Sequence, residues 1–435
     1  MKRCLILLLS FYAGTASAQD IDNPLVLRAA IQQATINDPW LNGSRHRQNA
    51  LNAESVSAAS LPDPRVSLSA NNFPVDTFDI NQEAMTQLSV GISQMFPRGR
   101  TLALSSQQKR ELAEQEPFLR QERKAKVRAT VTRLWLEAFK AQESIRLIEH
   151  DRSLFEQLVD AAKASYSSAI GRTRQQDLVR AQLELTRIDD RLTALRQQQE
   201  ANLQRLSEWV GSLPNARLPT NLPELGIHNP QEGEKSRTSM QALYEQVYLH
   251  PVLRALDQRI GAMETGVDLA RQKYKPEWGL TAQYGYRDED PMGRERADLF
   301  SVGIIFDLPV FTGNRQDKEV NAAISRAEAL RTERMLLARQ LVAELDTAIS
   351  QLERLDERSA LYNRQLLPQM AEQAEASLAA YNNDDGDFAE AVRARIAELN
   401  AKIDALGIAV ERLQVITHIN YLLAGMTDTN SPTVE

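Results

Sequence analysis

The stretch Trp278-Gly279-Leu280-Thr281-Ala282-Gln283-Tyr284-Gly285-Tyr286 decides the fold. Trp278, Leu280, Ala282, Tyr284 and Tyr286 fall on one side of an extended chain, and Gly279, Thr281, Gln283 and Gly285 on the other, a period of two. The apolar side is aromatic at both ends. The polar side carries glycine and threonine rather than the Lys and Glu of a solvated sheet. Three other segments repeat the pattern. Val66, Leu68 and Ala70 alternate with Ser67, Ser69 and Asn71; Leu88, Val90 and Ile92 alternate with Ser89, Gly91 and Ser93. Phe300, Val302, Ile304, Phe306 and Leu308 face away from Ser301, Gly303 and Asp307. The patterns predict strands at about 65–73, 86–96, 277–286 and 299–308, each near the length of a tilted membrane strand. Trp278, Tyr284, Tyr286, Phe300 and Phe306 are the candidate membrane-interface aromatics. A soluble sandwich with one wet face is the alternative, and the small polar residues and terminal aromatics argue against it. Four strands in lipid cannot close on themselves, and open edges are not tolerated there, so several chains must contribute.

Outward from these strands the chain repeats itself. Asp38-Pro39-Trp40-Leu41 returns as His250-Pro251-Val252-Leu253, and Pro64, Val90-Gly91 and Pro97 return as Pro276, Val302-Gly303 and Pro309, all shifted by 212. Tyr166 and Gly171 recur as Tyr381 and Gly386, and Gly211 as Gly425. The repeats span 19–211 and 236–425. An equatorial linker at 212–235 carries Pro214, Pro219, Pro223 and Pro230, and a tail follows at 426–435. Helical hairpins are predicted at 101–210 and 314–423. The long helix from about Leu102 to Ser168 carries a heptad seam of Val127, Val131, Leu134, Ala138, Ala141, Ile145, Ile148, Phe155, Val159 and Ala162, with Arg152 interrupting it. Its counterpart runs Leu341, Leu345, Ala348, Leu352, Leu355, Ser359, Tyr362 and Leu366. Shorter helices are expected at 24–60, 172–210, 237–273 and 388–423, and Pro117 and Pro368 should kink or loosen the long ones.

The N-terminus reads as a secretory signal peptide over 1–18: basic Lys2-Arg3, an apolar run from Cys4 to Tyr12, and Ala16-Ser17-Ala18 at the cleavage position. Removing it takes the net charge from −7 to −9 and removes the only cysteine, so no disulfide, cysteine–zinc or iron–sulfur chemistry is available. A mean hydropathy of −0.41 is too polar for a bundle of membrane helices, and the acidic balance argues against a nucleic-acid partner. His46, His150, His228, His250 and His418 are scattered, with no pair at metal-ligand spacing. Phosphate loops and nucleophile elbows do not occur. No enzyme, cofactor or resident metal is expected.

The tandem repeat, the strand pairs framed by Pro64/Pro97 and Pro276/Pro309, and the tips Tyr166…Gly171 and Tyr381…Gly386 resemble the TolC family of outer-membrane efflux ducts. Leu61-Pro62-Asp63-Pro64 with Gly91-Ile92-Ser93-Gln94-Met95-Phe96-Pro97-Arg98-Gly99-Arg100 looks most like its heavy-metal (CzcC/CusC-like) branch, although some of that branch are lipoproteins and this chain has no cysteine at the cleavage point. The resemblance implies a mainly α protein with a membrane β-barrel. Long coiled-coil helices would form an α-barrel through the periplasm, and four strands per chain would close as a homotrimer into a twelve-stranded barrel in outer-membrane lipid. It also implies a Gram-negative outer-membrane location, a periplasmic adaptor, an inner-membrane pump of the resistance-nodulation-division (RND) type and passive export of heavy-metal cations. A type I secretion or multidrug efflux duct of the same architecture is the alternative. Gly171, Gly386, Tyr166 and Tyr381 are the candidate adaptor-docking tips, where a plain tight turn is the competing reading. Asp384, Asp385, Asp387 and Glu390, with Arg172 and Arg174, are the candidate periplasmic aperture. Asp387 and Glu390 also have helix-cap spacing. Related ducts carry aperture acids farther into the return helix, where this chain has Val392 and Arg395.

Overall fold

The computed structural model describes residues 24–167, 175–212, 217–227, 240–383 and 386–426. The signal-peptide segment, much of the equatorial linker and nearly all of the tail lie outside the described residues. The chain forms two compact units, one within 1–37, 127–226 and 351–417, the other within 38–126, 227–350 and 418–435. Each unit draws on both repeats.

Helix α1 (Leu27–Ile36) and helix α2 (Pro39–Ala58) stand where one helix from 24 to 60 is expected. The break falls before Pro39, because a residue preceding proline is pushed out of the α region. Asp38 is extended at φ −70°, ψ 107°, and its carboxylate accepts a hydrogen bond from Trp40 N at 3.1 Å, capping α2. The second repeat breaks at the equivalent place. Strands and helices then run β1 (Arg65–Asn71), β2 (Gln87–Phe96), α3 (Thr101–Ser167), α4 (Gln175–Val210), α5 (Met240–Tyr248) and α6 (Pro251–Arg271). His250, at φ −54°, ψ 135°, caps α6 by accepting from Val252 N through Nδ1 at 3.2 Å. The repeat's most legible landmarks are thus helix starts rather than helix interiors.

The 67 residues of α3 correspond to about 100 Å of helix, and α3 passes through Pro117 unbroken. Its seam is buried from Val127 to Val159, while Arg152 stays half-exposed and pairs with Glu156 and Asp189, each at 3.3 Å. Beyond β3 (Trp278–Tyr286) and β4 (Leu299–Phe306), α7 (Gln316–Leu361) buries Leu341, Leu345, Ala348 and Leu355. A π-helical turn at Tyr362–Leu366 then leads into α8 (Leu367–Asn382) and α9 (Phe388–Leu422). The cause is Pro368, which has no N–H and whose ring would strike the carbonyl four residues back; a wider turn relieves both. Tyr362 and Leu366, at the two ends of this turn, are only partly buried. In the first unit, one core gathers α1, α3, α4 and α9 around Trp135, Phe139, Leu206 and Ile416, and another joins Ile148, Phe155, Leu192, Phe388 and Leu399.

The second unit carries a four-stranded antiparallel sheet in the order β1-β2-β3-β4, so the two repeats meet side by side at β2 and β3. The expected strands are present, with β1 ending at Asn71 rather than 73 and β4 ending at Phe306 rather than 308. There Asp307 turns its carboxylate onto Glu277 N at 2.7 Å, and Pro309 supplies no donor.

Candidate membrane face and hairpin tip

Register places the predicted aromatics on one face of the sheet. Trp278 lies opposite Phe306 and Tyr284 opposite Phe300, while Leu88 faces Tyr286. The Trp278 and Phe306 ring centroids are 4.9 Å apart. This face is bare in the single chain: Phe300 is 71% exposed, Val302 69% and Leu68 81%. Soluble proteins seldom leave such a patch uncovered. The aromatics sit at its two ends. Trp278 and Phe306 lie at one end, and at the other the Tyr284 hydroxyl donates to Asp298 and the Tyr286 hydroxyl to Asp288 at 3.4 Å. From Trp278 to Tyr286 is about 26 Å along the strand, or about 20 Å across at the ~40° tilt of a membrane strand, close to the height of an outer-membrane apolar band. Ile305 breaks the alternation by falling on the polar side.

The other face is small and polar. Ser69 and Ser89 hydroxyls are 2.8 Å apart, and Asn71 Nδ2 donates to Ser89 at 2.8 Å. Glycine here makes room for neighbouring side chains: a Cβ at Gly279 would lie 2.8 Å from Met95 Sδ, and one at Gly303 2.7 Å from Thr281 Oγ1. The little bulk that glycine and serine put on this face suits the sheet to curve toward it. Beyond the strands, Arg296 donates to the carbonyls of Glu83 (3.0 Å) and Asn81 (3.1 Å), tying the two strand-connecting loops together.

Of the tip candidates, Gly171, Arg172, Arg174, Asp384, Asp385 and the Tyr166 side chain lie outside the described residues. Those described pack locally. Tyr381 meets Phe388 edge-on, with ring centroids 5.3 Å apart. Gly386 is required by close approach, since a Cβ there would lie 2.7 Å from Tyr381 N and 2.9 Å from the Ala380 carbonyl carbon. Asp387 Oδ1 accepts from Ala389 N at 3.3 Å, so Asp387 is the cap of α9 and Glu390 is a first-turn acid. The cap reading accounts for Asp387.

Farther along α9, Val392 is buried and Arg395 is committed to Glu398 at 2.7 Å. Glu398 also receives Lys402 at 2.9 Å, and Lys402 reaches Asp151 of α3 at 3.8 Å. Burial pushes the Glu398 carboxyl up, but the hydrogen bonds from Lys402 and Arg395 outweigh it and hold the pKa below the usual carboxylate value. This buried ladder escaped the sequence reading. Its spacing of three and four residues was visible, but burial of the face was not. Among the described residues no group of three or more His, Cys, Asp or Glu side chains is placed to hold a metal ion, and no helix is long and apolar enough to cross a membrane.

Residues 243–415 match the family model described as outer membrane efflux protein. The fold is that of the outer-membrane channels. The OprN outer-membrane channel superposes with a TM-score of 0.74 at 17% identity, covering 92% of this chain and 90% of that one. CusC, described with conformational changes accompanying folding and transmembrane channel formation, gives 0.73 at 14% identity, covering 92% and 91%. The open state of the Neisseria gonorrhoeae MtrE outer-membrane channel gives 0.72 at 15%, covering 92% and 88%. No curated protein matches the chain in sequence.

Proposed function

We propose that this chain is one protomer of a homotrimeric outer-membrane duct, the exit channel of a tripartite efflux system. The observation that carries the reading is the sheet: one bare apolar face with aromatics at both ends, one small polar face, and two outer strands, β1 and β4, each paired on one side only among the described residues. Three copies joined β4 to β1 would make twelve strands with no edge left in lipid. The chain is a passive conduit rather than an enzyme, and a periplasmic adaptor and an inner-membrane RND-type pump supply recognition and energy. The cargo we assign is heavy-metal cations, on the resemblance of 61–64 and 91–100 to the metal branch; a multidrug or type I secretion duct of the same architecture is the second reading. Asp384 and Asp385, which the cap of α9 does not need, form the cation-attracting aperture in this proposal. The test is extraction and phenotype together. The protein should leave outer membranes only with detergent, as a trimer, and its deletion should sensitise cells to metal salts. A soluble monomer of residues 19–435 would overturn the duct; drug sensitivity without metal sensitivity would overturn the cargo.

A further inference from the structure

Within the chain, the residues leaving β2 meet those entering β3 chiefly through Arg98, with Arg100 N also donating to Gln272 Oε1 at 3.1 Å. Arg98 donates to the carbonyls of Lys273 (3.3 Å) and Lys275 (3.2 Å), and its other nitrogen grips Asp307. Both sides of this joint have repeat counterparts fixed by proline. Pro97 maps to Pro309, which puts Val310 at the place of Arg98; Pro276 maps to Pro64, which puts Leu61 at the place of Lys273 and Asp63 at that of Lys275. The counterparts lie on opposite edges of the sheet, beside β4 and β1, and cannot meet within one chain. Val310 and Leu61 are apolar and bare, at 67% and 50% exposed, as is the adjoining Phe311 at 90%, while Asp63 is an exposed carboxylate.

We infer that Val310 of one copy seats against Leu61 of the next, an apolar counterpart of the Arg98 clamp, with Phe311 packed beside it. The occupant is a second copy of this chain because the repeat register brings these residues together. Shifting the in-chain pair Ile92↔Ala282 by one repeat puts Ile304 opposite Ala70, apolar facing apolar. The two halves of the sheet differ in register by two residues, which keeps the same faces together: Val66 pairs with Ile92 but Trp278 with Phe306. The inference rests on the trimeric duct proposed above. It adds that polar clamps hold the joints inside each chain and apolar contacts hold the joints between chains.

Two cysteine pairs separate this inference from the reading beneath it. Ala70→Cys with Ile304→Cys tests the strand edge, and Leu61→Cys with Val310→Cys tests the junction, in a full-length chain whose only other cysteine, Cys4, lies in the segment read as a signal peptide. A short bis-maleimide spans directly opposed and diagonal neighbours, separated by up to about 8 Å. Covalent trimers on a denaturing gel from both pairs are expected. Trimers from the strand pair alone would overturn the junction, and cross-linking by neither pair would overturn the trimeric closure itself. A charge exchange supplies the energetic test. Val310→Asp should lose most of the SDS-resistant trimer, and adding Leu61→Lys should recover it. Loss without recovery, or no loss, would count against the contact.

Discussion

His250 is a buried titratable group whose energetic weight can be worked out and checked. Its ring is fully buried and edge-on to Tyr421, with centroids 5.2 Å apart. Nδ1 accepts from Val252 N, and Nε2 lies 3.2 Å from the Tyr421 carbonyl oxygen, to which it must donate. A second proton would have to sit on Nδ1, facing an N–H and destroying the cap. Desolvation dominates, the Tyr421 carbonyl opposes it, and the pKa is lowered to about 4. The unfolded chain binds this proton near pH 6.5, so unfolding takes up a proton between about 6.5 and 4. The neutral ring's contribution is complete above 6.5 and falls as pH drops through that window. The total is about 3 kcal/mol, of which about 2 kcal/mol is lost by pH 5. His250→Asn keeps a capping side chain, cannot titrate and gives up the ring contact with Tyr421. The variant should be less stable than the parent at pH 7.5, and the gap should shrink by about 2 kcal/mol at pH 5. Guanidinium unfolding of detergent-solubilised protein, followed by circular dichroism at both pH values, reads the difference. An equal gap at the two pH values would refute the assignment of a neutral buried imidazole.

Other positions give separate tests. Val302→Arg places a charge in the middle of the bare sheet face and should cost about 2–4 kcal/mol of membrane stability, seen as loss of heat-modifiable trimer in outer-membrane fractions. Glu398→Gln removes the shared partner of Arg395 and Lys402 and should cost about 3 kcal/mol in chemical denaturation. Because the Glu398 pKa is held below its ordinary value, the parent's advantage over this variant should be present above the normal carboxylate range and fade as pH falls through and below it. Gly386→Glu should leave trimers assembled while resistance fails; normal resistance would remove the tip from adaptor docking. Asp384→Asn with Asp385→Asn should lower the cation selectivity of single trimers in planar bilayers, and unchanged selectivity and conductance would remove these acids from the aperture.

What the sequence disclosed and what it hid divide along one physical line. Strand faces and heptad seams are periodic, so Trp278 to Tyr286 and Val127 to Val159 could be placed by counting alone. Pro64, Pro97, Pro276 and Pro309 repeat at one spacing, which made both strand pairs legible. Contacts between elements distant in the chain have no period. Arg98 and Asp307 are 209 residues apart, and nothing near either one names its partner. Helix ends are half-legible: Asp38-Pro39 and His250-Pro251 carry both a capping side chain and a proline, but the surrounding apolar pattern continues across them and reads as helix interior. Pro368 announced a disturbance but not its form. A single proline can kink, break or widen a helix, and which follows depends on the packing that must stay in phase beyond it. The same distinction bears on the trimer. Periodicity identifies the face that meets lipid, whereas the residues that join one copy to the next emerge only when the two repeats are superposed and the joint formed inside the chain is carried to its open edges.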